Sequence, residues 1–358
     1  VFEGVTTYPV IMILAKGAPP ERYNAAYLKI NEMPENDISR QFSSDAQPIA
    51  QNDLSSESWT LEADDTAVLR SKINSGNKTL KEIYGSPLYG IKTGLNDAFV
   101  IDRATRDKLI AEDRKSEELL KPFVEGKDLK TWNVEPRDLW IIYIPRGQVD
   151  IEKYTAIKNH LLPFKAALEK RATKQEWFEL QQAQFAYVDS MRAAKILYPD
   201  ISQGPKFSLD QRGYSFSNTV YFIPSADGFL LGLLNSKVVW FYLSGVADAL
   251  RGGVWRLRLF SQSIETIPIP TTTAKQKAII AALAEKCQAI AGEHYTVQEN
   301  VRRRIYDLRP ADSTTKLTTK LAEWWELDFA AFRKEVKKTF KTDIPLAERT
   351  AWETYLAD

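Results

Sequence analysis

One cysteine, Cys287, stands in 358 residues, which excludes an intramolecular disulfide framework and a zinc site built on thiolates. Histidine is almost as scarce: His160 and His294 are the two copies, too far apart in sequence to suggest a metal pair, so no metal site is expected. No apolar run approaches the roughly 20 residues that a membrane span needs, and no signal peptide is visible. No membrane partner is therefore expected, and a reducing cytoplasm fits. Positive charge is not in excess either. Forty-eight Lys and Arg against 47 Asp and Glu leave a formal net charge of +1, so any nucleic-acid surface has to be a local patch balanced by acid elsewhere. No internal repeat is present, and no constellation of acids, bases or ligands suits a small-molecule or metal enzyme.

What is present suffices for a large core. With 44% hydrophobic residues, a chain of this length holds two or three domains. The most informative stretch is 84–102. Gly90 and Gly94 bracket Lys92-Thr93, Asn96-Asp97 supplies a turn signal, and 98–101 reads as a short buried strand. Asp102 can cap a helix over 103–112. On these features alone the stretch is either a donor-rich functional loop held at both ends or an ordinary strand–turn–helix connection. It is not a Walker loop, because Lys92-Thr93 precedes Gly94 and the required glycine spacing is missing.

The run Gly90-Ile91-Lys92-Thr93-Gly94-Leu95-Asn96-Asp97-Ala98-Phe99-Val100-Ile101-Asp102 closely resembles the signature of the target-recognition region in large adenine-specific DNA methyltransferases of restriction-modification systems, the Type IIG and TaqI-like enzymes. Downstream landmarks persist in the same order: Leu120-Lys121-Pro122-Phe123, Gly126-Lys127-Asp128-Leu129, Leu233-Leu234-Asn235-Ser236-Lys237, and 264–270. The similarity covers roughly residues 1–290 and is weakest over 31–70. It implies double-stranded DNA as partner, with Lys92, Thr93 and Asn96 among the contacting residues.

The resemblance also gives meaning to further absences. Adenine-N6 methylation in this family needs an Asn/Asp-Pro-Pro-Tyr/Phe segment and a glycine-rich turn for S-adenosylmethionine. No Asn-Pro or Asp-Pro dipeptide occurs here, and no Gly-x-Gly follows a strand. The apolar run 10–14 suits a strand buried on both faces, like the last strands of the family's catalytic domain. The chain is accordingly expected to be a fragment that does not methylate alone. It would bind no cofactor, S-adenosylmethionine being implied for the full-length parent, and it would adjoin an upstream methyltransferase domain. Phe2 then matches the aromatic that stacks on the flipped adenine, or is simply a core residue at a strand end.

Residues 31–70 are polar and read as a linker, with a possible short strand at 59–61 and a helix capped by Asp65 or Thr66 whose apolar positions are Val68, Leu69 and Ile73. Residues 139–144 form a strong strand. Over 151–185 a long helix is predicted: Ile157, Leu161, Phe164 and Leu168 make one stripe, with Lys158, Lys165, Lys170, Arg171 and Lys174 on a face that is either merely solvated or touches phosphates. Strands follow at 195–198, 215–216 and 219–223, with a hairpin tip at Gln211-Arg212-Gly213 between them. Gln211 and Arg212 suit base edges, since both side chains can make paired hydrogen bonds in the major groove. Pro199-Asp200 with Asp210-Gln211-Arg212 matches a nuclease site poorly, because Arg212 stands where lysine is needed.

Residues 230–242 read as a buried helix. Next, Arg251, Arg256 and Arg258 carry three positive charges with no acid between Asp248 and Glu265. Arg256 and Arg258 alternate with Leu257 and Leu259, so on a strand both project from one face; they are DNA-contact candidates or surface ion-pair partners. After an extended exit at 264–270, Thr272 or Thr273 starts a long helix in which Ile280, Leu283, Cys287, Ile290, His294, Val297 and Val301 form a coiled-coil-like seam. This exit and helix also resemble the spacer of Type I specificity subunits, so a stand-alone specificity module is the alternative. The expected architecture is α+β: last strands of a truncated catalytic domain over 1–30, a mixed-sheet target-recognition domain over 31–270, and a helical region over 271–358.

Overall fold

Lys-Ile-Leu-Tyr-Pro has no polar-out alternation, the pattern of a strand covered on both faces. In the computed structural model, which describes residues 11–17, 20, 23–28, 30, 37–51, 64–250 and 255–357, the strand Lys195–Pro199 is buried at all five positions. Its side chains point alternately to two cores. Leu197 joins a cluster with Phe99, Phe123, Ile141, Phe216 and Phe222, while Ile196 and Tyr198 join one with Leu80, Phe207, Phe229, Leu231, Leu243 and Leu257.

Around this strand lies an antiparallel sheet in the order Ser208–Asp210, Lys195–Pro199, Val220–Ile223, Leu88–Tyr89. A second sheet runs Ser215–Phe216, Leu120–Val124, Leu139–Ile142, Val100–Asp102, its first pair parallel and the rest antiparallel. A three-stranded sheet has Arg256–Arg258 at its centre, between Asp248–Leu250 and Ile201–Ser202. With helices between and after them, the fold is α+β. The chain forms two compact units, Val1–Ala284 and Glu285–Asp358, and the sheets belong to the first. No single helix among the described residues is long and apolar enough to cross a membrane.

Several elements differ from expectation. Gln211-Arg212-Gly213 is not a hairpin tip: Ser208–Asp210 and Ser215–Phe216 lie in different sheets, and the second pairs in parallel with Leu120–Val124, a geometry that needs a crossing connection. The long helix over 151–185 is two short ones, Thr155–Leu161 and Lys165–Leu168, separated by a tighter turn at Leu162–Phe164 where Pro163 removes a donor; residues 169–184 contain no α-helix. Residues 98–101 open with a helical turn, Asn96–Phe99, before the strand Val100–Asp102. The helix of 230–242 bends by 61° between Gly228–Leu234 and Lys237–Val246, where the Ser236 side chain caps the second helix.

Near the amino end, Ile11, Met12, Ile13 and Leu14 are exposed and form no strand, because no described strand lies beside them to supply ladder hydrogen bonds; Val10 and 59–61 lie outside the described residues. The 31–70 stretch contains a helix, Ile38–Asp45, and a strand, Gln47–Ala50, paired with Asn24–Tyr27. The helix Asp64–Asn74 exposes Val68 and Leu69. Instead it buries Arg70, whose guanidinium donates to the carbonyls of Phe241 and Tyr242 at 2.9 and 3.0 Å and lies over the Phe241 ring. That places a cation at the negative end of Lys237–Val246, and a Cβ on Gly245 would collide with the guanidinium.

In the second unit Val301, Ile305, Leu321, Phe332, Val336, Phe340 and Trp352 form a separate core. The helix Ala274–Tyr306 begins at a reciprocal cap between Thr273 and Gln276. Its expected seam is only partly packed: Val301 is buried, whereas Leu283, Ile290 and Val297 are exposed. Arg333 holds the Asp343 carboxylate bidentately at 2.7 and 2.6 Å.

The deepest ion pair in the first unit is Lys195 Nζ to Asp210 Oδ2, 2.5 Å apart with both side chains fully buried, between residues directly opposite on adjacent strands. Removing one partner strands the other charge. Lys195→Met should therefore cost about 3–5 kcal/mol in urea unfolding, and a loss below about 1 kcal/mol would show that the pair is not carrying the turn it adjoins.

A pH effect is expected in the second unit. Arg333 lowers the Asp343 carboxyl from 3.8 to about 2. A carboxyl depressed in the folded state contributes stability above its unfolded value and loses it as pH falls through its folded value. Asp343→Asn should thus lower stability at neutral pH and flatten the acid dependence between pH 3.8 and about 2, measured as urea midpoints across that window.

Candidate nucleic-acid interface

The loop that begins at Gly90 is placed by backbone pairing on both sides. Gly90 N donates to Val220 O at 3.0 Å, Ile91 N to Phe216 O at 2.8 Å, and Lys92 exchanges two hydrogen bonds with Gln182 at 3.0 and 2.9 Å. A Cβ at Gly90 would run into the backbone oxygens of Ser217 and Phe216, so only glycine permits this approach. Gly94 has φ +80°, and a Cβ there would lie 2.5 Å from Arg171 Cδ.

Arg171 is the residue that holds the loop from beneath. Its guanidinium makes five hydrogen bonds to backbone carbonyls, those of Leu168, Thr93, Glu179, Glu176 and Trp177, at 2.8 to 3.3 Å. Burial pulls its pKa down. The phosphate-contact reading of this arginine is therefore corrected: all five of its donors serve the fold. Thr93 is likewise internal, 4% exposed, with its hydroxyl donating to Asn96 Oδ1 at 2.6 Å. Lys92, Asn96 and Asp97 are the exposed polar members of the loop. Beyond them Asp102 caps Arg103–Glu112 by accepting from Thr105 N at 2.9 Å.

The turn after Ser208–Asp210 is shaped by Asp210. Its Oδ1 accepts from Arg212 N at 2.8 Å and its Oδ2 from Tyr214 N at 2.9 Å. Gln211 and Arg212 are left exposed at the apex, and Arg212 Nη1 lies 3.3 Å from the Tyr214 hydroxyl. Asp210 is thus committed to Lys195 and to this turn, which removes it from the nuclease reading. Among the described residues no group of three His, Cys, Asp or Glu side chains could hold a metal ion.

Arg256 and Arg258 sit as the alternation of 255–260 predicts, half-buried on either side of the buried Leu257. Their Nε atoms are buried without a hydrogen-bond partner. Arg258 lies over the Phe260 ring, 4.8 Å from its centre, and its charge pulls down the Asp200 carboxyl, which burial pushes up more strongly. A tyrosine pair leads from here to the signature: Tyr221 feels the charges of Asp200 and Arg258, and its ring centre is 6.3 Å from that of Tyr89, the residue before Gly90. Phe2 and Arg251 lie outside the described residues. Sequence reasoning passed over Lys195 and passed over Asp210 as a turn former. A lysine at the start of an apolar strand was the available signal for the first.

An exposed polar loop and an exposed polar turn are thus mounted on the sheets of the first unit. Residues 121–269 match the TaqI-like C-terminal specificity domain. Residues 272–358 match a domain of unknown function, DUF8810. The Type II methyltransferase M.PaeR7I of Pseudomonas aeruginosa is 26% identical over 245 residues, which cover 64% of this chain and 40% of that protein. The chain therefore spans about 40% of the length of that curated relative. Among solved structures, the Type IIL restriction-modification enzyme MmeI in complex with DNA aligns with TM-score 0.40 and 18% identity, over 76% of this chain and 35% of that one. The type IIG restriction endonuclease BpuSI aligns with TM-score 0.42 and 14% identity, over 67% and 30%.

Arg171 offers a direct test of how the loop is held. Lysine supplies three donors against five, so Arg171→Lys should cost about 1–3 kcal/mol and speed amide exchange at Lys92 and Gln182. Unchanged exchange at both amides would show that the loop is positioned without the clamp.

Proposed function

We propose that this chain is the DNA target-recognition region of a Type II restriction-modification methyltransferase, with adenine-N6 as the modified position. In this reading the methyl-transfer chemistry and the S-adenosylmethionine site lie on a methyltransferase domain outside these 358 residues, and the chain itself grips and selects a duplex. The observation that carries it is the specificity-domain match over 121–269, together with the Gly90–Asp102 signature that precedes the matched region. Lys92, Asn96, Gln211 and Arg212 present donors at the surface, while Arg256 and Arg258 supply cations on one strand face. Phosphate contacts from the cations set register, and the polar tips choose sequence.

Duplexes selected from a randomised pool by the purified chain test this reading by fluorescence anisotropy. Arg256→Ala or Arg258→Ala should weaken binding to every sequence and make the plot of log affinity against log salt shallower by about 0.9 for each phosphate left without its cation. Gln211→Ala should instead relax preference at one base pair by about 1–3 kcal/mol, with the salt slope unchanged. Absence of duplex binding at low salt would overturn the assignment.

A further inference from the structure

Beside the turn that carries Gln211 and Arg212 is a small cavity of about 50 Å³, walled by the signature residue Ile91, by Tyr143, and by Gly213 and Ser215 of the turn, with Lys121 and Arg192 at its margin. Three parts of the fold converge there: the loop after Gly90, the strand Leu120–Val124 and the short helix Val188–Arg192. Gly213 has φ +71°, and a Cβ on it would lie 2.9 Å from Arg192 O, so the turn closes against this helix only with glycine.

Lys121 and Arg192 both line this cavity, and two positive charges thus belong to its wall. Burial lowers the Lys121 ammonium pKa, and Arg192 lowers it further. Glu118 and Glu117 act in the opposite direction, yet both are turned to other partners, Glu118 to the Tyr154 hydroxyl at 2.8 Å and Glu117 to Arg106 at 4.0 Å. Among the described residues the acid paired with Arg192 is Asp189, 4.0 Å away and 97% exposed. The Tyr143 hydroxyl donates to Ala183 O at 3.0 Å and is not available as a donor to a ligand. Keeping the half-buried Lys121 ammonium charged beside a second cation costs energy that an anion bound by both returns.

The size of the cavity limits which anion. A benzene ring needs roughly 150 Å³, about three times what is present, so a nucleobase does not enter. The oxygens of a phosphodiester fit, and a lysine point charge beside an arginine fork is a pairing suited to them. We propose that Lys121 and Arg192 clamp one backbone phosphate of the bound duplex and so fix the register in which Gln211 and Arg212 meet the base edges. This rests on the DNA-recognition reading above and adds two positioning residues to it.

The experiment uses the full chain and the duplex recovered by selection, made as a set in which each member carries one neutral methylphosphonate linkage. For the wild-type chain one linkage near the recognised bases should weaken binding roughly tenfold, the size of one charged hydrogen bond. That same linkage should cost less in Lys121→Met and in Arg192→Gln, and be silent when the two changes are combined. The combined variant should also have a salt slope shallower by about 0.9, equally on recognised and unrelated duplexes. Lys121→Arg keeps the charge and should restore both readouts, which a purely structural role for the lysine stem would not do. Duplex binding with slope and methylphosphonate pattern identical to wild type in the combined variant would overturn the clamp alone. Failure of the wild-type chain to bind any duplex would overturn the clamp together with the reading beneath it.

Discussion

The buried ion pair between Lys195 and Asp210 is the constraint on which the candidate interface depends. Each charge costs several kcal/mol to desolvate, and their attraction offsets that only when the other lone pairs of the carboxylate are satisfied. Asp210 meets the condition by accepting from the backbone of Arg212 and Tyr214. Desolvation thereby becomes geometry: the carboxylate stays low in energy only if the chain turns back around it. At this turn the chain passes from the antiparallel sheet into the mixed one, so the same pair fixes where Gln211 and Arg212 emerge and where Gly213 meets the Val188–Arg192 helix.

Arg171 plays a comparable part at the loop after Gly90. An arginine spent entirely on backbone carbonyls has nothing left for a ligand, and what it stabilises is the path of the loop above it. Gly90 and Gly94 are required for the same reason, one by the crowding of two carbonyl oxygens and the other by a left-handed backbone above the arginine stem. The exposed side chains of Lys92 and Asn96 are thus carried on a backbone with little freedom, which reduces the ordering cost of any contact they make.

A net charge of +1 looks unpromising for a surface that meets a polyanion, and the distribution explains why it is compatible. Arg70, Arg171 and Lys195 are consumed inside the fold, and many surface lysines and arginines are neutralised by nearby acids. Among the described residues Lys121 and Arg258 have acids nearby without forming an ion pair with them, and the Asp189 partner of Arg192 is 97% exposed. Local imbalance, rather than total charge, sets the field at such a surface.

Much of the fold was legible in residues that are neighbours in sequence. The alternation of Arg256, Leu257 and Arg258 placed both arginines on one strand face. Asp102 and Thr273 announced helix starts, and the density of apolar residues in 195–198 and 219–223 announced strands. These are signals of period two to four, and local backbone geometry alone produces them. The α+β class and the position of the signature loop were therefore determined by the sequence itself. Which cations serve the fold and which face outward was decided only by tertiary structure. Arg171 meets Thr93 across 78 positions, Arg70 meets Phe241 across 171, and Lys195 meets Asp210 across 15. A charged side chain has the same sequence signature whether it points to solvent or to a buried carbonyl. Only the folding of distant segments against one another, which sets the dielectric and the partners around each charge, separates the two.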